Sequence, residues 1–239
     1  MIPIRDENPT RRFPLLTIVL LVINVAVFAY EVSLPDAALI ELIDRWALNP
    51  ARLVADPLSP EILLTLLTAM FLHGGWLHLG GNMLYLWIFG NNIEDRLGRI
   101  RFLSFYLGSG VAASLAHVAI DGPRDIPLLG ASGAIAGVLG AYLLLFPRAR
   151  VVVLIPIFFI IELAKVPAAF VIGFWFLMQV AQGVGSISPG ATTGGVAWWA
   201  HVGGFVAGLL LILPAWFAER RRRRRKKSGA RQSRFTTWR

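Results

Sequence analysis

The chain has 239 residues, of which 56% are hydrophobic and only 15% are charged. Soluble domains carry about 25% charged residues, so the composition excludes an ordinary soluble domain and indicates one integral membrane domain. The chain contains no cysteine, which excludes a disulfide framework and a thiolate site. Its net charge of +9 comes from one segment, because residues 219–239 hold 11 of the 23 Lys and Arg residues.

The basic C-terminal segment, residues 218–239, is predicted to be a disordered cytoplasmic tail. A run of like charges is typical of a solvated segment that also contacts anionic lipid. The rest of the chain has 12 basic and 13 acidic side chains, so its charges are balanced. We therefore expect this tail to meet the lipid bilayer, and we expect no nucleic acid among the partners.

Six apolar segments predict membrane-spanning helices, each of which needs about 20 apolar residues to cross the bilayer core. The segments are 14–30, 77–93, 102–120, 132–146, 167–184 and 197–217. They predict an all-α membrane protein with a six-helix core over residues 14–217. Residues 1–13 are expected to form a short cytoplasmic segment, in which no removable signal peptide is evident.

Basic residues set the predicted orientation. They precede the first span, lie between the second and third spans, follow the fourth span and fill the tail, whereas the other connections are acidic or uncharged. Positive charge is retained on the cytoplasmic side, so both termini are expected in the cytoplasm. Because the loops are short and no soluble domain is evident, we expect a multi-pass protein of a prokaryotic inner (plasma) membrane.

Two segments fit neither a span nor a simple loop. The connection 31–76 contains apolar pieces that are too short or too charged to span, which predicts an amphipathic, partly embedded structure at the membrane interface. The stretch 151–166 is apolar and β-branched but holds Pro156, Glu162 and Lys165. Two alternatives stay open for it: extended or re-entrant backbone covered by protein, or the start of a longer broken helix.

A serine between glycines begins the fourth span, in the sequence Gly130-Ala131-Ser132-Gly133. Glycine permits a sharp turn into a helix and a close approach of backbones, so Gly130 and Gly133 are assigned structural roles. The first turn of a helix has unpaired backbone N–H groups, which suit a developing oxyanion. Ser132 is therefore a candidate nucleophile, and a helix cap or a small-residue packing stripe is the alternative.

The sixth span carries His201, followed by Gly204 and Gly208. Small residues four apart let this span pack closely against another small-faced helix, and the fourth span offers such a face. Close packing would bring the imidazole within hydrogen-bond reach of Ser132, as a general base requires. The alternative is a histidine that binds a backbone carbonyl and so holds helices together.

His78 and Asn82 lie four residues apart in the second span and share one helix face. Two donors aimed at one point stabilise an oxyanion, and polar contacts between helices or a metal ligand pair are the alternatives. Metal is disfavoured, because the chain has no cysteine and no His-Glu-x-x-His sequence. The predicted orientation places both residues in the same outer half of the bilayer as Ser132 and His201. No Asp or Glu lies in the outer part of the later spans, so a Ser–His pair would act as a dyad.

These sequences resemble those of the rhomboid intramembrane serine proteases. The matching strings are HLGGN at 78–82, GASG at 130–133 and AHVGG at 200–204, and the stretch 76–98 also resembles the second span of that family. The resemblance covers most of residues 13–217. The order, the spacing and the predicted membrane side of the three strings all agree with it.

The resemblance implies a six-helix core with a water-accessible cavity that opens outward. It implies Ser132 as the nucleophile and His201 as the general base and then the general acid. It implies an oxyanion site formed by His78, Asn82 and the backbone N–H of Ser132.

Around the site, the same resemblance implies roles for several other segments. Glu94 and Arg96 would be structural ties at the cytoplasmic end of the second span. The connection 31–76 would be a lateral, partly embedded loop, and residues 185–196 would form a flexible cap over the site. The fifth span, 167–184, would be the gate through which a substrate enters.

The activity expected from these residues is that of a serine-type endopeptidase. It would hydrolyse peptide bonds in or near transmembrane segments of membrane proteins, with neither a cofactor nor a metal. One alternative is a non-cleaving rhomboid-like protein that binds membrane helices or acts as their chaperone. A small transporter or channel is another, but it predicts inverted repeats that the sequence does not contain. The oligomeric state is left open.

Overall fold

The computed structural model describes residues 1–157, 160–186 and 196–236. Within these ranges the chain forms three strands, nine α-helices and one 3-10 turn. In chain order they are β1 (Ile2–Asp6), α1 (Leu15–Ser33), α2 (Asp36–Trp46), α3 (Pro50–Ala55), α4 (Pro60–Thr68), the 3-10 turn Ala69–Phe71, α5 (Trp76–Leu97), α6 (Arg99–Asp121), α7 (Ser132–Leu145), β2 (Arg150–Ile157), β3 (Ile160–Pro167), α8 (Ala168–Ser186) and α9 (Trp198–Thr236).

Several of these helices are suited to crossing a membrane. By length and composition, four described helices qualify: α1, α6, α8 and the Trp198–Arg221 part of α9. The segment Pro60–Phe71 and α5 qualify together as a pair bent by 82°, which raises the number to five. The chain is therefore a multi-pass membrane protein. The predicted number of six is not reached on this criterion, although a helix lies at each of the six predicted places.

The helix α7 is the central helix of the bundle. Every residue from 133 to 142 is buried, and the helix packs against α5, α6, α8 and α9. It has 14 residues, which give a length of about 21 Å, less than the roughly 30 Å of a bilayer core. Because protein surrounds it on all sides, α7 has no lipid contact that would require a full span.

Glycines let α9 approach the backbone of α7. A methyl group built on Gly204 would overlap the carbonyl oxygen of Gly133, and one built on Gly208 would overlap the carbonyl oxygen of Gly137. No larger residue fits at either position of α9 without moving one of the helices. The close packing predicted between the fourth and sixth spans is therefore confirmed.

A three-stranded sheet lies at the end of the bundle opposite Ser132, where α7 ends. Its order is β1-β2-β3, and both pairs are antiparallel. The prediction of an all-α protein is therefore incomplete, and the alternative of a broken helix for 151–166 is wrong. In its described part this segment forms β2 and β3, and the β-branched residues of β2 pair with β1 on one side and with β3 on the other, with Val151 and Val153 fully buried.

Polar contacts attach this sheet to the helices. The Asp6 Oδ2 atom accepts hydrogen bonds from the Tyr142 hydroxyl at 2.7 Å and from Asn92 Nδ2 at 2.9 Å. The Lys165 ammonium pairs with Glu7 at 2.5 Å. The N-terminal segment is thus bound to the ends of α5 and α7 and to β3.

Glu94 and Arg96 make the contacts expected of structural ties. The buried Glu94 carboxylate accepts hydrogen bonds from the backbone N–H of Leu16 at 2.9 Å and of Thr17 at 2.8 Å, and from the Thr17 hydroxyl at 2.8 Å. It therefore binds the unpaired donors in the first turn of α1. Arg96 pairs with Glu219 at 2.6 Å and so connects α5 to α9.

The connection between α1 and α5 contains three short helices and no full span. Its helix α2 has no buried residue, while Leu48, just beyond it, is fully buried. Leu48 exchanges two backbone hydrogen bonds with Leu128, of 3.0 Å and 2.7 Å, which dock the connection on the chain that leads into α7. These contacts place the connection beside the start of the central helix.

The C-terminal part differs from the prediction. The helix α9 continues to Thr236, whereas a disordered tail was expected from residue 218. Arg and Lys are strong helix formers, so the basic run continues the helix that precedes it. The predicted cap at 185–196 lies for the most part outside the described residues, as do residues 237–239.

Replacing Gly208 with alanine is expected to lower the free energy of unfolding by about 1–3 kcal/mol. The added methyl group would overlap the Gly137 carbonyl, so α7 and α9 must separate. Tryptophan fluorescence during heating in detergent measures the effect. The control is Gly173→Ala in α8, where the methyl group meets nothing within 4 Å, so stability should be kept or raised. Equal unfolding free energies for Gly208→Ala and Gly173→Ala would contradict the close packing of α9 against α7.

The sheet should make stability depend on pH through Asp6. Burial raises the pKa of Asp6 above its ordinary value of 3.8, against the opposing effect of its hydrogen bonds. A carboxyl group with a raised pKa contributes stability that is present below the ordinary value and is lost as the pH rises through the raised one.

Asp6→Asn removes this titration, so the melting temperature of the variant should rise relative to that of the wild type as the pH increases above the ordinary value of 3.8. Ser104→Ala, which replaces an exposed serine of α6 and removes no titratable group, is the control and should differ from the wild type by the same amount at every pH. A constant difference for both variants would show that Asp6 titrates normally.

Candidate active site

Ser132 is the first residue of α7 and follows a sharp turn of the chain. Gly130 makes this turn with a φ of 120°, which L side chains rarely adopt, and its N–H donates to the Ala69 carbonyl at 2.8 Å. A side chain at Gly130 would also overlap the ring of His78. Glycine is therefore required here both for the backbone and for the space beside His78.

His201 lies in the first turn of α9 and meets Ser132 across the α7–α9 contact. Its Nε2 atom is 2.8 Å from the Ser132 Oγ atom, which is hydrogen-bond distance. The contact follows from the packing of Gly204 against Gly133, since that pair brings the two helices together one turn beyond His201. Both polar side chains are half-buried and so stay accessible from a cavity.

The other ring nitrogen of His201 has a partner that the sequence did not reveal. The Nδ1 atom lies 2.6 Å from Oε1 of Gln179, a buried residue of α8. An amide oxygen only accepts hydrogen bonds, so this contact is a hydrogen bond in the neutral ring that carries its proton on Nδ1, and in that form Nε2 can accept one from the Ser132 hydroxyl. Gln179 was not predicted as a site residue, although a glutamine inside an apolar span is a signal that could have indicated it.

Two tryptophan rings border the imidazole of His201. The ring of Trp175, one turn before Gln179, lies 5.9 Å from the imidazole between centroids. The ring of Trp198 meets it edge-on at 6.2 Å. These rings limit the directions in which the histidine can turn.

His78 and Asn82 bring two donors from α5 toward Ser132. The Nδ1 atom of His78 accepts from the backbone N–H of Gly74 at 3.3 Å, which leaves the proton of the neutral ring on Nε2, the atom nearest to Gly130. The Nδ2 group of Asn82 is buried and has no hydrogen-bond partner in the described part of the chain. A buried donor without a partner is costly, which is typical of a group reserved for a ligand.

One cavity of about 710 Å³ connects these groups. All four side chains predicted for the site line it: His78, Asn82, Ser132 and His201. No carboxylate is among its lining residues, and the described residues contain no group of three or more side chains that could hold a metal ion. The arrangement offers a hydroxyl, an adjacent base and several N–H donors, which is the set that acyl transfer needs.

Comparison with protein families gives a match over more than half of the chain. The model described as the Rhomboid domain matches residues 60–216. This chain belongs to the rhomboid family. The matched region runs from the start of α4 into α9, and so it includes every helix that contributes a side chain to the cavity.

Several curated rhomboid proteins are similar to this chain. It is 34% identical over 201 residues to "Rhomboid protein 1, mitochondrial" of Saccharomyces cerevisiae, a match that covers 80% of this chain and 50% of the relative. It is 45% identical over 78 residues to "Rhomboid protease GluP" of Bacillus subtilis, which covers 33% of this chain and 15% of the relative. For "Presenilin-associated rhomboid-like protein, mitochondrial" of Mus musculus, the identity is 33% over 107 residues, 44% of this chain and 28% of the relative. The chain thus spans half or less of the length of these relatives.

Replacing Asn82 with leucine is expected to raise the free energy of unfolding by up to about 1 kcal/mol, because a buried donor without a partner is removed. Thermal unfolding in detergent measures this change. The matched control is Asn92→Leu in the same helix, which deletes a donor bonded to Asp6 at 2.9 Å and should lower stability. A loss of stability at both positions would mean that the Asn82 amide has a structural partner.

Proposed function

We propose that the chain is an intramembrane serine endopeptidase in which Ser132 and His201 form the catalytic dyad. The observation that carries the proposal is the 2.8 Å contact between Ser132 Oγ and His201 Nε2 at the wall of a cavity. Membership of the rhomboid family, which includes relatives named as proteases in Bacillus subtilis, supports it. The substrates would be transmembrane proteins cut in or near their spans.

The first half of the reaction forms an acyl-enzyme. The Ser132 oxygen attacks the carbonyl carbon of the scissile bond while its proton passes to His201 Nε2, and the carbonyl electron pair moves to oxygen. When the tetrahedral intermediate collapses, the carbon–nitrogen bond breaks and His201 gives the proton to the leaving amine. The acyl group stays on Ser132 as an ester.

Water completes the reaction. A water molecule in the cavity gives a proton to His201 and attacks the ester carbonyl. The second collapse returns the proton to Ser132 and releases the carboxyl product. No cofactor is needed in either half, because the hydroxyl, the imidazole and water supply every atom and proton that the balance requires.

Three donors would stabilise the oxyanion. His78 presents Nε2–H, Asn82 presents its unpaired amide, and the backbone N–H of Ser132 lies in the first turn of α7, where it has no acceptor within the helix. An unpaired donor in a low-dielectric cavity interacts strongly with charge that develops in the transition state. The burial of Asn82 without a partner supports this role.

The membrane arrangement belongs to the same proposal. We count α5 and α7 as spans beside α1, α6, α8 and α9, which gives six helices with both termini in the cytoplasm and the site toward the opposite face. The charge pattern supports this orientation. A substrate helix would have to unwind locally at the cavity, since helical carbonyls are hydrogen-bonded and covered by side chains.

The relatives do not select a compartment. Relatives named as mitochondrial stand beside bacterial ones, so the comparisons give no support to the expected prokaryotic inner membrane. The chemistry above requires only a bilayer with transmembrane substrates.

Ser132→Ala and His201→Ala are expected to abolish cleavage of a transmembrane substrate in liposomes. Asn82→Ala should lower kcat by about 100- to 1,000-fold, the usual cost of one lost oxyanion donor. A fluorophosphonate probe should label the wild type and leave Ser132→Ala unlabelled. Ser104→Ala is the control, because this exposed serine of α6 only bonds the Ile100 carbonyl and should keep full activity.

A folded wild-type sample without Ser132-dependent labelling would refute the proposal. Stable capture of an uncleaved transmembrane substrate by the same sample would support the non-cleaving alternative.

A further inference from the structure

The imidazole of His201 is held from two sides by two different helices. Its Nε2 atom faces Ser132 of α7 at 2.8 Å, and its Nδ1 atom faces Gln179 of α8 at 2.6 Å. We propose that Gln179 is a positioning residue that keeps His201 in the Nδ1–H tautomer, with Nε2 directed at the nucleophile. This inference rests on the proposed function, because it concerns the base of that reaction.

The amide oxygen of Gln179 selects the tautomer. If the proton sat on Nε2, the lone pair of Nδ1 would face the lone pairs of Oε1 at 2.6 Å, which is repulsive. In that state Nε2 could not accept the Ser132 proton either. The Gln179 oxygen therefore favours the one neutral form of His201 that can act as a base toward Ser132.

Gln179 is itself restrained. It is 7% exposed, and its Nε2 atom donates to the Trp175 carbonyl one turn earlier in α8, at 3.4 Å. With the N–H group directed to that carbonyl, the oxygen of the amide points to His201. The stacked rings of Phe176 and Phe205, 4.2 Å apart between centroids, keep this part of α8 against α9.

A neutral amide suits this position better than the carboxylate of a triad. Buried charge inside a membrane is expensive, and a carboxylate at the buried position 179 would introduce one. A glutamine orients the imidazole without that cost. It stabilises the imidazolium less than a carboxylate would, because its oxygen carries only a partial charge.

Gln179 does not line the cavity, which separates its role from substrate binding. Its loss should therefore lower kcat and leave KM within about twofold of the wild type. We expect Gln179→Met, which keeps the length of the side chain and removes the acceptor, to lower kcat by about 10- to 100-fold, as for a lost hydrogen bond to a group that becomes charged.

Two further variants define the effect. Gln179→Glu restores an oxygen acceptor and should recover kcat to within about fivefold of the wild type, an estimate that follows from retention of the hydrogen bond. Gln182→Met is the matched control, since it makes the same exchange at an exposed position one turn later in α8 and should change nothing. Equal kcat values for Gln179→Met and Gln182→Met would overturn the proposal.

Nitrogen NMR gives a readout that does not depend on catalysis. The chain has only 4 histidines, so protein labelled with ¹⁵N-histidine and solubilised in detergent yields few signals, and His201→Asn identifies the one of interest. The wild type should show Nδ1 protonated and Nε2 unprotonated. Gln179→Met should mix the two tautomers, and Gln182→Met should not.

The two measurements separate the two hypotheses. A wild type with the proton on Nε2 would overturn the role of Gln179 even if the protein cleaves its substrates. Suppose instead that a folded protein shows the expected tautomer and yet never reacts with a fluorophosphonate probe. That result would refute the proposed function and would still support the role of Gln179 in orienting the ring.

Discussion

The contact between α7 and α9 is the constraint on which the rest of the structure depends. Glycines at 204 and 208 let the backbone of α9 rest on the carbonyl groups of α7, where a single methyl group would not fit. Attraction between apolar side chains is weak inside a lipid phase, so such close backbone contact is a main source of helix association. The same contact determines the distance between the Ser132 hydroxyl and the His201 imidazole.

Around this pair, three helices direct polar groups at one cavity, and a fourth contacts the imidazole from outside it. The central helix α7 supplies the hydroxyl, α9 the imidazole and α5 two donors, while α8 supplies the amide acceptor for the other ring nitrogen of His201. Asn82 keeps a donor buried without a partner, which lowers stability and is useful only when an acceptor arrives. At the opposite end, in contrast, the buried Glu94 carboxylate accepts three hydrogen bonds from α1.

Much of this arrangement could be predicted from hydropathy and spacing, because apolar length and glycine periodicity are local properties of a sequence. The predicted spans 132–146 and 167–184 lie close to α7 and α8, and the four polar residues assigned to the site line one cavity. The small-residue face expected on the fourth span is also present, since Ser132 contacts His201 and a methyl group built on Gly140 would overlap the Phe205 carbonyl oxygen of α9.

The strand β1 and Gln179 were missed for reasons of distance. The strand β1 acquires its structure from residues about 150 positions later in the chain, and five mixed residues show no period of their own. Gln179 is uncharged and lies in an ordinary apolar span, so only its proximity to His201 in three dimensions reveals its use. Local patterns carry no information on such pairs, whose partners are defined by the packing of separate elements.

The sheet also determines how α8 is able to move. The helix begins directly after β3, and its first two N–H groups donate to the carbonyls of Ala149 and Pro147, at 2.8 Å and 3.1 Å. The N-terminal end of α8 is thus fixed, and Gln179 lies about 16 Å from that end along the helix axis. A tilt of the helix by roughly 10° about its fixed end would move the Gln179 oxygen by about 3 Å, which is enough to break its contact with the imidazole. A displacement of α8 would therefore leave His201 without the Gln179 acceptor until the helix returns to its position.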